Sequence, residues 1–393
     1  MKCLWLTRQY PLPADSGELI YSLGLVKSLA AQAVDVTLLC YGRAHTHAPT
    51  PIVAPFAEVK LAGPMPPKGV GSLLSYLPND AYRMAQGRLA ETLQEHLQTE
   101  RYDALLIDQA AMGWGLRPWR QLAKAERPAL VYISHNREAE IRPQIARDCR
   151  ENWAKRKLMQ FDARKYAQLE QMVCRESCLI SAITPADARA YAREYPRAKI
   201  IELLPGYHIP DDNEGQALTA ATPKRVLLVG SFEWIAKRQN LERFLAAAVD
   251  RFARDEIEIQ VVGKASPEFV AQTRKRFPTV DFQANVPSIA PFLKQARVGL
   301  IAETVGGGFK LKTLDYVFHG LPVAALQQAL GGVELTPDVH AMVATHVEEL
   351  VEQIARRIDD LPFLNRMAQA AREHLVNRFR WEDRGATLRA ALA

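Results

Sequence analysis

The stretch GGGFKLKTLDYVFHGLPVAAL, residues 306–326, brings together glycines, lysines and a carboxylate. Gly306, Gly307 and Gly308 follow an apolar run at 298–302 and precede a helical pattern at 309–318. Backbone N–H groups at a helix N-terminus are unpaired donors, and the helix dipole favours negative charge there. Glycine lets the backbone approach an anion closely. Lys312, one turn into the predicted helix, adds a full charge, and Asp315 shares its face three residues on. A carboxylate there can accept from paired sugar hydroxyls. Phosphate plus diol is the chemistry of a nucleotide. Taken alone, the same residues read equally well as a loop followed by a solvated helix face.

Two other stretches follow similar logic. In RVLLVGSFEWIAKRQNLERFL, Gly230 and Ser231 end a strand, and Lys237 and Arg238 fall just before a helix that Asn240 would start. The alternative is a solvated basic turn. In TRQYPLPADSGELIYSLGLVKSLA, Ser16 and Gly17 open a helix with Glu18 in its first turn, and Gly17 can let backbone N–H groups face a phosphate. An ordinary helix cap is the competing reading. His135, in YISHNREAEI, comes just after a strand. A lone histidine there is more often a structural hydrogen-bonder. Its loop position and its neighbours Arg137 and Glu138 favour chemistry.

Some chemistries lack their motifs. Neither G-x-G-x-x-G nor G-x-x-x-x-G-K-[ST] occurs, and Lys264 in VVGKAS has no glycine five residues before Gly263. This argues against a dehydrogenase and a P-loop NTPase. No D-x-D triplet supports a metal-bridged diphosphate. Cys174 and Cys178 are i,i+4 on a predicted helix, but no nearby His or Cys completes a metal set. His45 and His47 form a bare pair on a loop. Five cysteines make no disulfide framework, and Cys3 and Cys40 read as core thiols.

These residues need a scaffold, and the chain supplies an alternating one. Strand-like runs at 2–7, 34–40, 102–108, 129–134 and 178–184 alternate with helical stretches at 18–32 and 138–176. A polar, aperiodic segment at 207–223 reads as a linker. Strands at 224–229, 257–262, 298–302 and 322–326 then alternate with helices at 240–252, 267–277 and 309–318, and the tail from about His346 is helical. Short continuous apolar strands suit parallel sheets covered on both faces. Ligands of such sheets bind beyond the carboxyl ends of the strands.

At 393 residues the chain suits two or three domains. Its 48% hydrophobic and 24% charged composition is that of a folded protein. A formal charge of +6 and a pI of 9.0 favour anionic partners. The opening MKCLWLTRQYPLPADSG reads as a strand rather than a signal peptide, and the cytoplasm is the default compartment. Residues 66–88 mix Leu, Tyr and Met with basic residues, and residues 142–176 carry nine Lys and Arg against five Asp and Glu, with aromatics between. Such surfaces favour anionic lipid headgroups, although a solvated helix face is the commoner reading. No recognised nucleic-acid motif is present.

Six stretches in order carry a resemblance: YPLPADSGELIYSLGLVKSLA, YISHNREAEI, LISAITPADARAYAREYP, VLLVGSFEWIAKRQNL, NVPSIAPFLKQARVGLI and the opening glycine-lysine stretch. Together they resemble the GT-B glycosyltransferases, closest to glycosyltransferase family 4. The resemblance implies an α/β fold of two Rossmann-like domains facing each other across a deep cleft. It implies an acceptor-binding domain at 1–206, the linker at 207–223, a nucleotide-sugar domain at 224–375 and a helix at 376–393 returning to the first domain. It implies sugar transfer, with retention and without metal, from a nucleotide-diphosphate donor to a glycan, lipid-linked or small-molecule hydroxyl acceptor. No cofactor beyond that co-substrate is expected.

The resemblance also distributes roles. Gly17, Gly230 and Gly308 would lie by the donor, Lys237 or Arg238 would clamp its diphosphate together with Lys312, and Asp315 would hold the ribose. Backbone at Val286, Pro287 and Ser288 would cradle the base, and His135 would stand beside the transferred sugar. The family's usual pair of glutamates is replaced here by Gly307 and Asp315, so the usual acidic contact to the donor sugar is missing. The implied setting is polysaccharide assembly at the inner membrane face. Other GT-B enzymes, such as an epimerase or a phosphorylase, and a non-catalytic nucleotide-sugar-binding partner are the rival readings.

Overall fold

The structure is a computed structural model that describes residues 1–42, 57–67, 69, 71–148, 152–209, 217–233, 235–304 and 308–393. The chain forms two compact units, Met1–Gly206 with Arg380–Ala393, and Tyr207–Phe379.

The described residues of unit 1 form seven strands: β1 Lys2–Gln9, β2 Asp35–Gly42, β3 Ala57–Pro64, β4 Ala104–Asp108, β5 Ala129–Ile133, β6 Leu179–Ala182 and β7 Lys199–Glu202. All pair in parallel, in the order β3-β2-β1-β4-β5-β6-β7. The central strands carry continuous apolar stretches because helices cover both faces, and Leu4, Trp5, Leu6, Leu105 and Ile107 are fully buried. Helix Gly17–Ala30 follows β1. Helix Trp381–Leu392 packs on it so closely that a Cβ on Gly385 would sit 2.0 Å from the Ser28 carbonyl oxygen.

The helical stretch predicted over 138–176 is two helices, Glu138–Asp148 and Trp153–Glu176, the second capped by the Asn152 side chain. Cys178 lies past the end of that helix, its Sγ on the Leu130 carbonyl. The two cysteines therefore do not share one helix, as their spacing had suggested. No group of three or more metal-ligating side chains occurs among the described residues. His45 and His47 lie outside them.

Unit 2 holds β8 Arg225–Ser231, β9 Glu258–Lys264, β10 Asp281–Ala284, β11 Val298–Ile301, β12 Val323–Leu326 and β13 Met342–Ala344. They too are all parallel, in the order β10-β9-β8-β11-β12-β13. Each unit thus repeats the doubly wound order in which the sequence of strands reverses once, between β1 and β4 and between β8 and β11. No helix of the described residues is long and apolar enough to cross a membrane.

Candidate functional site

In unit 2 the reversal lies between β8 and β11, and charge collects at their carboxyl ends. Helix Ile235–Arg254 follows β8, so Lys237 and Arg238 stand in its first turn rather than ahead of it. Ile, Ala, Lys, Arg and Gln at 235–239 tolerate a helix well. Asn240, expected to start the helix, instead turns its Oδ1 to Thr304, accepting from the backbone N–H at 3.2 Å and the hydroxyl at 3.0 Å. The Arg243 guanidinium also reaches the Thr304 hydroxyl. The loop after β11 is thereby tied to the helix after β8.

Glu303 sits on that loop, buried. Its Oε1 lies 2.7 Å from Lys312 Nζ and 3.5 Å from Lys237 Nζ. Its Oε2 has no hydrogen-bond partner among the described residues. Burial pushes the carboxyl up, but Lys312, Lys237 and Lys310 outweigh it and hold it down at about 2. Lys312 Nζ also donates to the Val229 carbonyl at 3.2 Å. Burial lowers the Lys312 ammonium below its ordinary range, Lys237 adds to this, and Glu303 only partly offsets it.

The helix that carries Lys312 is shorter than its pattern. It spans Lys312–Phe318, so Lys312 is its first residue, not one turn in. Gly308, at φ +69°, turns the chain, and residues 309–311 separate it from the helix. Gly306 and Gly307 lie outside the described residues. Asp315 accepts from the Tyr207 hydroxyl at 2.9 Å, and Tyr207 stacks on Phe318. Burial raises the Asp315 carboxyl, against the hydrogen bond from Tyr207 and the nearby His319.

The other donor-side candidates make contacts of their own. Arg238 donates from Nε to the Phe232 carbonyl at 2.6 Å and stacks over Phe269. Gly230 pairs with Gly263, whose φ is +150° and whose added Cβ would lie 1.7 Å from the Gly230 oxygen. That close approach admits glycine alone. Val286 is half-buried, and Pro287 and Ser288 are exposed in the loop after β10. The structure therefore gathers Lys237 and Lys312 at one carboxylate, with Lys312 also reaching the carbonyl of Val229, the neighbour of Gly230.

Unit 1 has its own polar cluster. Gly17 is exposed and opens its helix, with Ser16 as cap accepting from the Leu19 N–H. His135 follows β5 and is buried, with Nε2 2.6 Å from Oδ1 of Asp108, the last residue of β4. Trp5 Nε1 donates to the other oxygen at 3.1 Å. The Tyr21 ring meets the imidazole edge-on at 4.9 Å. Burial pushes Asp108 up, but the charge and hydrogen bond of His135, helped by Trp5, hold it below its ordinary value.

Asp108 and Glu303 are the residues that sequence reasoning passed over. The signal was available for both. Each is a carboxylate at or just past the strand beyond the reversal point of its unit, where polar side chains face the ligand side.

Residues 223–360 match the family model described as Glycosyl transferases group 1. No curated protein matches the chain. Among solved structures, sucrose-phosphate synthase from Thermosynechococcus elongatus is similar at a TM-score of 0.75 and 17% identity, over 99% of this chain and 97% of that one. Anabaena HepE in complex with UDP-glucose is similar at 0.66 and 17%, over 100% and 99%. WaaG, a glycosyltransferase involved in lipopolysaccharide biosynthesis, is similar at 0.67 and 16%, over 99% and 98%. At these identities the likeness speaks to fold: the chain has the two-domain, Rossmann-like GT-B fold of these neighbours.

Proposed function

We propose that this GT-B chain is a glycosyltransferase of the family 4 type, moving a sugar from a nucleotide-diphosphate donor to a hydroxyl acceptor with retention and without a metal. The observation that carries the reading is the convergence of Lys237 and Lys312 on Glu303 at the carboxyl ends of β8 and β11, inside the segment matched by the group 1 model. Two ammonium groups on one carboxylate keep an excess of positive charge. Fixed cations of this kind stabilise the charge that develops on a departing diphosphate. Asp315 would hold the ribose, with Tyr207 setting the direction of one carboxylate oxygen. Unit 1 would bind the acceptor, with His135 as its active-site histidine and Asp108 fixing the imidazole.

The acceptor is proposed to be a glycan or lipid-linked intermediate of polysaccharide assembly, met at an anionic membrane surface. Supporting this, Leu73, Leu74 and Tyr76 are exposed in unit 1, as are Trp153, Leu158 and Phe161 beside Lys155, Arg156 and Lys157. The two segments adjoin, since Asp162 accepts from the Asn79 N–H and Lys165 donates to the Ser72 carbonyl.

A thermal-shift screen against UDP, GDP, TDP and ADP sugars tests the donor. A ligand at 100-fold its dissociation constant adds about 2.7 kcal/mol. Release of nucleoside diphosphate only when an acceptor is present separates transfer from epimerisation or plain binding. A chain that no nucleotide sugar stabilises is not this enzyme.

A further inference from the structure

We propose that Glu303 is a positioning residue: its single carboxylate sets the ammonium groups of Lys237 and Lys312 side by side, charged and aimed, for a diphosphate. This rests on the donor reading above and adds the residue that makes the two lysines a site.

The geometry argues for it. Lys237 comes from the helix after β8 and Lys312 from the helix after β11, yet both end on the same oxygen, Oε1, at 3.5 and 2.7 Å. Lysine is a point charge on a flexible four-carbon stem, so it does not hold a position unaided. Two lysine heads left alone in a partly dry site would repel each other, and the more buried one would shed its proton. One carboxylate between them removes both problems. Lys310, from the lead-in to the second helix, is a further charged neighbour, Arg243 reaches the adjacent Thr304, and Tyr316 lies behind. Two lysines against one carboxylate leave positive charge for an anion. A carboxylate placed only to stabilise the fold would be expected to satisfy both oxygens, whereas Oε2 is buried without a partner among the described residues. The loop that carries it is in turn held by Asn240 and Arg243 through Thr304.

The test is calorimetric titration with whichever of UDP, GDP, TDP or ADP binds the wild type tightest, between about pH 7 and pH 10, where lysine charge can be lost. Wild-type affinity should fall toward the alkaline end as Lys312 deprotonates. In Glu303→Gln the fall should begin about 1–3 pH units lower, the range by which a nearby opposite charge moves an ionisation. Affinity at pH 7 should drop roughly 10-fold or more, as loss of a charge-assisted bond predicts. Binding of the nucleoside without phosphates should not change. Glu303→Asp, which keeps the charge but shortens the reach, should keep the wild-type alkaline limb with a smaller loss of affinity. Tighter diphosphate binding in Glu303→Gln, or an alkaline limb identical to wild type, would overturn the proposal and leave the donor reading standing. If the Gln variant does not fold, Glu303→Asp decides, and unchanged affinity there sinks it. A folded wild type that binds none of the four diphosphates would bring down the donor reading and this inference together.

Discussion

His135 Nε2 and Asp108 Oδ1 lie 2.6 Å apart at the carboxyl ends of neighbouring strands, and Asp108 is fully buried. A buried carboxylate needs its partner more than an exposed histidine would. Removing one member of such a pair leaves an uncompensated charge, at about 3–5 kcal/mol. His135→Ala should therefore destabilise unit 1 by that order, and Asp108→Asn in the same chain should recover part of the loss. The folded carboxyl lies below its ordinary value of 3.8. Its contribution is thus complete above that pH and is lost as pH falls through the lower folded value. Melting curves in acid should show a steep limb in the wild type and a flatter one in Asp108→Asn. Equal acid limbs in the two proteins would show that the pair is not ionic.

Activity should survive chelation. If lysines do the work of a cation at the diphosphate, turnover in excess EDTA should match turnover without it. A strict requirement for added Mg²⁺ or Mn²⁺ would contradict the charge cluster as the leaving-group stabiliser.

Lys312 and Asp315 should separate by ligand. Lys312→Ala should weaken nucleoside diphosphate far more than nucleoside, because only the former carries the charge that is lost. Asp315→Ala should weaken both alike, since both carry the ribose. Charge-assisted hydrogen bonds predict losses of roughly 10–150-fold in each case. Equal losses for both ligands in Lys312→Ala, read by calorimetry, would reduce that lysine to a structural partner of Glu303.

Gly263 should tolerate nothing larger. Alanine there would place its Cβ 1.7 Å from the Gly230 oxygen at a φ of +150°, so β8 and β9 would have to part. A loss of about 1–3 kcal/mol or more is expected from overpacking and strain together. A thermal melt of Gly263→Ala within a degree or so of wild type would mean that the strand pair relaxes freely.

The exposed aromatic and basic segments of unit 1 should bind anionic lipid. Vesicles containing phosphatidylglycerol should sediment the wild type, and pure phosphatidylcholine vesicles should not. Trp153→Ala with Phe161→Ala should weaken the binding, since aromatic burial and basic attraction act together. Identical sedimentation of this variant and the wild type would remove the aromatic face from consideration.

The amino-acid sequence by itself determined the interior strands of both sheets. Their two faces are covered, so β1, β4, β5, β8 and β11 each contain a continuous apolar run that needs no partner to be recognised. It also carried the loops that matter, because in this topology the chemistry must follow a strand. The strands it left unread, β3, β7, β10 and β13, all lie at sheet edges. Segments such as KIIE at β7 and DFQA at β10 are half exposed, and neighbours on one side alone made them strands. The charge pairing was likewise tertiary. His135 was visible as a loop histidine, but Asp108, 27 positions away, met it only when β4 and β5 paired in register. Lys237 and Lys312 were visible as basic residues near helix starts. Only the parallel pairing of β8 with β11 brought the first turns of the two following helices together at the carboxyl ends of the strands and placed Glu303 between the lysines, because a carboxylate acquires its partners from the strand order, which no local spacing records.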